Sequence, residues 1–340
     1  MIMKAMMQKR FSVISLLLLC LVSLPAFAVI RYVKPGGAGT FPYTTWATGS
    51  SDLQAVINAC NPGDQVWVKN SVYLPTRDIT GNASPADVRE KTFLLKSGVL
   101  IYGGFAGTET LLSQRNVIVN ETILSGNIGD VFSNADNCYH VTYANNVTAA
   151  TRLDGFTISY GNANRTGASD NIGKMGGGLF NDKTKSNLTI TNNTFSYNIA
   201  EYGGSAILNY SLGNTGGLLN PLISYCKFTN HTGSSNSLIT DVSSDFDPLT
   251  FINTVISHCT FINNNIPGSY IFYNENGTFI IEYCEFLSNN AWMLISALCG
   301  NAIASPQITN CTFKNNILSN VISLDSYRMI IGNPTEYYPL

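Results

Sequence analysis

One pattern of apolar and polar positions recurs five times between residues 188 and 316. Each copy centres on a Phe with polar neighbours, and these anchors are Phe195, Phe228, Phe261, Phe286 and Phe313. The steps between them, 33, 33, 25 and 27 residues, are each about one turn of a solenoid. Because a unit this short cannot bury a core alone, it has to stack on its neighbours. The sequence therefore predicts a repeat architecture.

Each copy alternates as a short β-strand does. In Cys259-Thr260-Phe261 the Cys and the Phe lie two residues apart, so both face inward while the Thr faces outward. Residues such as His258 and Asn264 border this segment, and His and Asn tolerate the left-handed backbone of sharp corners. No later part of the chain keeps an apolar period of 3.6 over a long stretch. We therefore predict an all-β fold, a parallel β-helix.

One short amphipathic helix is predicted ahead of the repeats. Apolar residues recur at helical spacing from Leu53 to Cys60, behind Ser51 or Asp52 as the N-cap. A helix of this size could cover the first coil of a β-helix, whose apolar interior and unpaired backbone groups would otherwise meet water. Strands of the early coils are predicted at 65–69, 99–105 and 153–158.

The first 28 residues have the pattern of a secretory signal peptide. A basic start is followed by an apolar stretch, and Ala26-Phe27-Ala28 is a small-residue cleavage site. No later run approaches the ~20 apolar residues of a spanning helix, so no membrane span is predicted in the mature chain. The predicted organisation is a signal peptide at 1–28, an N-terminal cap with the first coil at 29–75, and a repeat domain at 76–340 that could be truncated at its C terminus. We expect a secreted or cell-surface protein.

The mature chain carries few charges. The whole sequence has 19 basic and 21 acidic residues, and removing the signal peptide takes away three basic ones, which leaves a net charge of −5. Such a surface does not attract nucleic acid, and none is predicted as a partner. The abundance of Asn, Thr, Ser and Gly suits stacked coils whose side chains form hydrogen-bonded ladders.

Four cysteines occupy the same position of the repeat. They are Cys226, Cys259, Cys284 and Cys311. Coils about 4.8 Å apart would allow a disulfide between neighbours. Asn193 in the same register and the odd number of cysteines left after removal of the signal peptide, seven of the eight, favour reduced thiols that pack as small apolar groups, and the redox state stays open. No cysteine pair has the spacing of a zinc site.

Two parts of the chain resemble bacterial surface proteins. Phe-x-x-Asn pairs, as in 195–198 and 261–264, together with the Gly-Gly segments at 176–179 and 203–207, resemble the repeats of chlamydial polymorphic membrane proteins; Ser205 interrupts the second segment. The opening, with Arg31-Tyr-Val-Lys-Pro-Gly-Gly37 and Pro62-Gly-Asp-Gln-Val-Trp-Val68, is similar to secreted pectin-lyase-like proteins, especially those of Bacteroidetes. The resemblance implies a single-stranded right-handed β-helix at the bacterial surface or outer membrane, with adhesin-like or carbohydrate-binding roles.

Catalysis on such a fold needs an acid and a base facing one groove, commonly carboxylates, or a Lys or Arg beside calcium. The ordered set of motifs that would resemble a polygalacturonase, an Asn-Thr-Asp, an Asp-Asp, a Gly-His-Gly and an Arg-x-Lys, is absent from the sequence, in which only an Arg-x-Lys occurs, at 89–91. No catalytic residue is predicted. Whether the protein is an enzyme stays open, with binding favoured.

Exposed aromatic residues at the repeat corners are the candidate ligand-binding residues, namely Tyr197, Tyr202, Tyr225 and Tyr283. Their rings could stack on sugars or on a protein partner. Rings that merely cover the coil edges are an equally good interpretation, and only a set aligned along one flank would form a platform.

A cluster of acidic residues is the candidate calcium site. Asp241, Asp245 and Asp247 could supply carboxylate oxygens from a flexible loop, although a solvated acidic turn is the simpler interpretation. No other cofactor is predicted.

We therefore predict a monomeric, non-catalytic β-helix module that binds an extracellular polysaccharide or a host surface protein. The first alternative is a polysaccharide-degrading lyase or glycoside hydrolase. A structural spacer is the second.

Overall fold

Three parallel sheets make up the protein, and the chain visits them in a fixed order. The computed structural model describes residues 28–147, 150–167, 172–182, 188–211, 218–233, 237–243, 251–275, 277–298, 306–325 and 330–332. In one coil the chain passes through sheets A, B and C, and then returns to sheet A beside the strand that it left. Because connections between parallel strands of one sheet are right-handed with few exceptions, the result is a right-handed parallel β-helix. This confirms the predicted fold.

The strands are as follows. Sheet A contains Ile30–Val33, Gln65–Lys69, Leu100–Phe105, Arg152–Asp154, Thr189–Thr191, Leu222–Ser224, Phe251–Ser257, Gly277–Glu282, Gln307–Thr309 and Ile330–Gly332, with Leu218–Leu219 paired to Phe251–Ser257. Sheet B contains Val72–Tyr73, Ile123–Ser125, Thr157–Ser159, Thr194–Ser196, Lys227–Thr229, Thr260–Ile262, Glu285–Leu287 and Thr312–Lys314. Sheet C contains Phe93–Leu95, Thr142–Asn145, Leu179–Asp182, Ile207–Ser211, Ile239–Ser243, Asn265–Glu275, Asn290–Leu298 and Ile317–Asp325.

Few elements lie outside these sheets. The strands Asn162–Ala163 and Ile199–Ala200 pair with each other. Within the described residues there is one α-helix, Leu53–Ala59, and there are three 3-10 helices, Val88–Glu90, Leu112–Gln114 and Ile172–Lys174. No helix among these residues is long and apolar enough to cross a membrane.

The predicted Phe anchors form one continuous stack in the interior. Their ring centroids lie 5.3, 4.7, 4.7 and 5.0 Å apart from Phe195 to Phe313, with nearly parallel planes. Registers such as Phe228 opposite Phe261 place equivalent side chains of successive coils on one another. The apolar half of the repeat pattern therefore builds the core, as predicted.

Two sharp corners bound sheet B, and residues with positive φ form both. Tyr225, His258 and Tyr283 take φ of 53 to 54° between sheets A and B, and Tyr197 takes 56° between sheets B and C. The predicted strand at 153–158 contains such a corner at Gly155, whose φ is 86°. It is therefore two strands in different sheets, because a short polar-apolar pattern looks the same on both sides of a tight corner.

Inside the corners, amide and thiol ladders satisfy the backbone. At the corner between sheets B and C, Asn289 Nδ2 donates to Phe261 O at 2.9 Å, and its Oδ1 accepts from the backbone N–H of Asn264 at 3.1 Å. At the other corner the cysteines behave in the same way: Cys259 Sγ donates to Ile223 O at 3.6 Å and accepts from the backbone N–H of Cys226 at 3.4 Å. The cysteine ladder is thus a thiol counterpart of the asparagine ladder, and its four members are free thiols.

The predicted helix closes the first coil. Asp52 is its N-cap, accepting from the backbone N–H of Ala55 at 3.1 Å. Leu53, Val56 and Ile57 are buried against the interior. Gln54 completes the cover, because its side chain both accepts from the N–H of Leu94 and donates to Leu94 O, at 2.8 and 3.1 Å. It therefore satisfies the edge of the first strand of sheet C.

Candidate functional site

The outer face of sheet B carries one column of accessible polar side chains. Strand alternation turns the first residue of each strand outward, and the parallel register aligns these residues along the axis. The members of the column are Thr157, Thr194, Lys227, Thr260, Glu285 and Thr312. Equivalent hydrogen-bonding groups therefore recur once per coil.

A groove of about 520 Å³ runs along the start of this column. Its floor includes Thr157, Thr194 and Lys227, and one wall is the loop between the third strand of sheet A and the second strand of sheet B, through Ile118 and Glu121. We call it the corner groove. Because the loop and the floor come from different coils, the groove is a product of the winding.

The charges of the corner groove are few and balanced. Glu121 and Lys227 are the charged groups among its described lining residues. Glu121 is partly engaged, since the Thr157 hydroxyl donates to its Oε1 at 2.7 Å. The groove thus offers mainly hydroxyl and amide groups, which both donate and accept hydrogen bonds.

An aromatic stack continues the corner groove along the corner between sheets A and B. The His258 ring lies between Tyr225 and Tyr283, at 4.9 Å from each centroid and within 22° of parallel. Tyr225 and Tyr283 are 60% and 51% exposed. Because the rings stack face to face at the spacing of the coils, they present edges and hydroxyl groups to solvent rather than open faces.

A second aromatic pair lies at the opposite corner of sheet B. Tyr160 and Tyr197 stack at 5.5 Å, and the Asn230 amide donates to the Tyr197 hydroxyl at 3.2 Å. They line a groove of about 490 Å³ beneath the loop that carries Phe132, a side chain that is 97% exposed. Sheet B is therefore flanked by a groove at each corner.

The four predicted tyrosines do not form one set. Tyr225 and Tyr283 share a column, and Tyr197 belongs to the opposite corner. Tyr202 lies in neither groove, and its ring is covered by the Lys174 ammonium at 4.7 Å from the centroid. In the sequence Tyr225 and Tyr283 precede a repeat Cys and Tyr197 follows a repeat Phe, but the sequence does not say which flank of the coil each of these corners occupies.

Of the three predicted calcium ligands, the structure describes Asp241 alone. Asp241 lies in the strand Ile239–Ser243 and faces the interior, with an exposed fraction of 0%. Burial raises its pKa to about 6, although Asn209, Thr254 and Asn274 donate hydrogen bonds to it. Asp245 and Asp247 lie outside the described residues, within which no group of three or more His, Cys, Asp and Glu could hold a metal ion. A calcium site stays a prediction.

Sequence reasoning overlooked the polar column and the loop beside it. The column had a signal, because its members include the outward residue between Cys and Phe of each repeat, as with Lys227 between Cys226 and Phe228. The wall formed by residues 106–122 had no such signal in the sequence, since its position over later coils depends on contacts between residues far apart in the chain.

Comparisons with known proteins return solved structures alone. No family model and no curated protein matches the sequence. The chain is similar to a pectin methylesterase from Aspergillus niger, at 13% identity and a TM-score of 0.47, covering 91% of this chain and 85% of that one. It is also similar to the pectate lyase Pel9A, at 12% identity, a TM-score of 0.40 and coverages of 89% and 80%.

A polygalacturonase from Erwinia carotovora ssp. carotovora is similar at 12% identity and a TM-score of 0.33, with coverages of 91% and 98%. At TM-scores below 0.5, none of these similarities says what this chain binds or does. None of them points to chlamydial polymorphic membrane proteins or to Bacteroidetes, so both resemblances stay predictions.

Proposed function

We propose that this protein is an exported, monomeric module that binds an extended neutral glycan in the corner groove. The observation that carries the proposal is the accessible column of polar side chains, repeated at the spacing of the coils and bordered by the stack of Tyr225, His258 and Tyr283. The signal pattern at residues 1–28 supports export, and the low charge of the chain gives no reason to expect nucleic acid.

A polymer suits the column better than a compact ligand does. Neighbouring coils repeat at about 4.8 Å, a step comparable to the length that one sugar unit adds to a chain. Successive sugars would then meet Thr157, Thr194 and Lys227 in turn. Each contact is weak, but a series of equivalent contacts adds up along the chain.

The balance of charge favours a neutral glycan. A polyuronate would need an excess of basic groups or bound cations along its path, whereas Glu121 and Lys227 offset each other among the described lining residues. Further along the column Glu285 adds a negative charge. Hydroxyl groups of the ligand can donate a hydrogen bond to a carboxylate and accept one from an ammonium group, so neither charge at this surface disfavours a neutral glycan.

The alternative is an enzyme that acts on polysaccharide, and the similar solved structures include proteins named for pectin and polygalacturonate. Hydrolysis of a glycosidic bond commonly uses two carboxyl groups, about 5 to 9.5 Å apart. Among the described residues that line the corner groove, Glu121 is the one carboxylate. This observation favours binding without cleavage, and product analysis decides between the two.

The test is affinity electrophoresis of the purified protein through gels that contain neutral glucans, xylan, mannan, pectin or polygalacturonate, with analysis of the polymers for shortened, unsaturated or de-esterified products. We expect a neutral polymer to retard the protein in the gel and to yield no shortened, unsaturated or de-esterified products. Products would establish the enzyme instead. Retardation by polygalacturonate alone, or by no polymer, would overturn the proposal.

A single hydroxyl group provides the matched variant. Thr194→Val removes one hydroxyl from the floor of the corner groove, and we expect about fivefold weaker binding, since a neutral hydrogen bond is worth about 1 kcal/mol. Thr189→Val is the control, because Thr189 lies in the same coil but on sheet A. Equal effects of the two variants would place the ligand elsewhere.

A further inference from the structure

A pocket on the sheet C side has no part in the corner groove. Its volume is about 230 Å³. It lies between the start of the strand Thr142–Asn145 and two segments of chain, one that carries Asp78 and Glu90 and one that carries Arg165. We call it the sheet C pocket. Its polar lining includes Asp78, Glu90, His140 and Arg165. None of its lining residues lines either groove beside sheet B.

The walls of the sheet C pocket are held by contacts between distant segments. Arg89 Nε donates to Asn137 O at 2.6 Å, and its Nη2 donates to Asn162 O at 2.8 Å. The same guanidinium covers the Tyr139 ring at 4.2 Å, and the Tyr139 hydroxyl donates to Asp87 Oδ2 at 2.8 Å. The pocket is therefore formed before any ligand arrives, which lowers the entropic cost of binding.

His140 provides a neutral acceptor in this pocket. Its Nδ1 lies 2.9 Å from Gly176 O. Because a carbonyl can only accept, Nδ1 carries the proton and Nε2 keeps its lone pair. Burial of most of the ring lowers the His140 pKa to about 4, so the side chain is uncharged at neutral pH. The ring is packed against Tyr143 and Phe180, at 5.9 and 5.2 Å between centroids.

Glu90 and Arg165 place an acceptor beside a donor. They form an ion pair in which the side chains remain 38% and 32% exposed. A carboxylate and a guanidinium side by side match two adjacent hydroxyl groups, one donating to the carboxylate and the other accepting from the guanidinium. This pattern belongs to a diol rather than to a single ionic group.

The charges around the sheet C pocket disfavour an anionic ligand. Asp78 and Glu90 line it together with the single cation Arg165. The charge of Arg165 is offset by Glu90, so a ligand carboxylate would meet a net negative charge from Asp78, Glu90 and Arg165. A negatively charged ligand would be repelled by these carboxylates, and the repulsion is stronger where water is partly excluded.

We propose that the sheet C pocket binds one neutral sugar ring, with Glu90 and Arg165 on two adjacent hydroxyl groups and His140 Nε2 accepting from a third. The size of the pocket, the preformed walls and the paired donor and acceptor carry the proposal. The ring could be a free monosaccharide or the terminal unit of a glycan. This site is additional to the corner groove and does not depend on it.

The test is ligand-observed NMR on the whole protein with a panel of neutral hexoses and pentoses at millimolar concentrations, and with galactose compared with galacturonate. Saturation transfer to a neutral sugar is expected, with weaker binding of the matching uronate. Methyl glycosides identify the source, because a terminal glycan unit tolerates the methyl group and a site for the free sugar does not. No neutral sugar bound, or tighter binding of the uronate, would overturn the proposal.

Three variants separate this site from the corner groove. Glu90→Gln should weaken binding of the sugar about tenfold, since a neutral amide replaces the charged acceptor and the ion pair with Arg165 is lost, and it should leave retardation by the polymer unchanged. Glu201→Gln is the control, because Glu201 pairs with Lys174 outside the sheet C pocket. Thr194→Val should leave the monosaccharide signal unchanged. A signal lost in Thr194→Val and kept in Glu90→Gln would refute the sheet C pocket and support the corner groove.

Discussion

Replacing Asp241 with Asn should stabilise the protein at neutral and alkaline pH. Asp241 is a fully buried carboxyl group inside the β-helix. It accepts hydrogen bonds from Asn209 Nδ2 at 2.8 Å, Asn274 Nδ2 at 3.0 Å and Thr254 Oγ1 at 2.7 Å. These bonds reduce the cost of its negative charge but do not cancel it, because burial is the larger influence on its pKa.

The ladder of amides around Asp241 reverses direction at this residue. Asn181 donates to Asn209 and Asn209 donates to Asp241, while Asn274 donates back to Asp241 from the next coil. Asn274 Oδ1 is left buried, with no hydrogen-bond partner among the described residues. An Asn at 241 could donate to that oxygen once the Asn274 amide turned round, and the ladder would then run in one direction.

The magnitude follows from the pKa of Asp241. Its rise from 3.8 to about 6 corresponds to about 3 kcal/mol once the group is ionised. Since the pKa of Asp241 is higher in the folded than in the unfolded protein, the contribution of Asp241 to stability is greatest below about pH 4 and is lost as the pH rises through about 6.

Two histidines act in the opposite sense over the same range. Burial lowers the pKa of His140 and of His231 to about 4. The contribution of these two histidines to the free energy of unfolding is complete above about pH 6.5 and is lost as the pH falls towards 4. The pH profile of the wild-type protein therefore mixes the two effects, and the difference between variant and wild type at each pH isolates Asp241.

The assay is urea unfolding of both proteins near pH 4, 6 and 8. We expect Asp241→Asn to exceed the wild type by about 3 kcal/mol near pH 8, with most of the difference gone near pH 4. Asn209→Asp is the converse variant, since it places a second carboxyl group beside the first and should destabilise strongly. A variant no more stable than the wild type near pH 8, or a difference independent of pH, would refute the reasoning.

Three further predictions concern the interior. His231→Asn extends the asparagine ladder to Asn264, whose Oδ1 lies 3.1 Å from His231 Nδ1. Because the His231 pKa is depressed, the variant should be about 2 kcal/mol more stable than the wild type near pH 5. Thermal unfolding that shows no gain in stability at that pH would contradict this prediction. Phe228→Ala opens a gap in the Phe stack and should cost about 3 to 5 kcal/mol in urea unfolding, with Thr194→Val as the surface control; equal losses would contradict the stacked core. The thiols of Cys226, Cys259, Cys284 and Cys311 are buried and free, so they should react with a thiol reagent only after denaturation and without prior reduction; a requirement for reductant would indicate disulfides between coils.

The repeat and the cap could be predicted because their signals are local. A Phe every 25 to 33 residues requires stacking whatever the rest of the chain does. Asp52 ahead of apolar residues at helical spacing is sufficient to predict a capped helix, and the helix begins at Leu53. Each copy of the repeat, and the helix with its cap, is shorter than one coil, so consecutive residues contain each of them in full.

The role of Asp241 could not be predicted in this way. An Asp among Ser and Asp residues has the composition of a surface loop, and the sequence placed it there. In the structure it faces inward because Asn209 and Asn274, one coil to either side, supply donors to it. A buried charge is tolerated only where such partners exist, and the register between coils decides whether they do.

The sequence by itself thus determined the β-helix, its core and its cap, since alternation and repeat length are properties of consecutive residues. Only the tertiary structure decided which side chains share a surface. Winding stacked Tyr225 on His258 and thereby hid their faces, and it placed Tyr197 at the opposite corner. It also brought Glu90 to Arg165 across 75 residues of chain. Such neighbours are set by the lengths of the intervening loops and by the alignment of coils, and no local pattern specifies either.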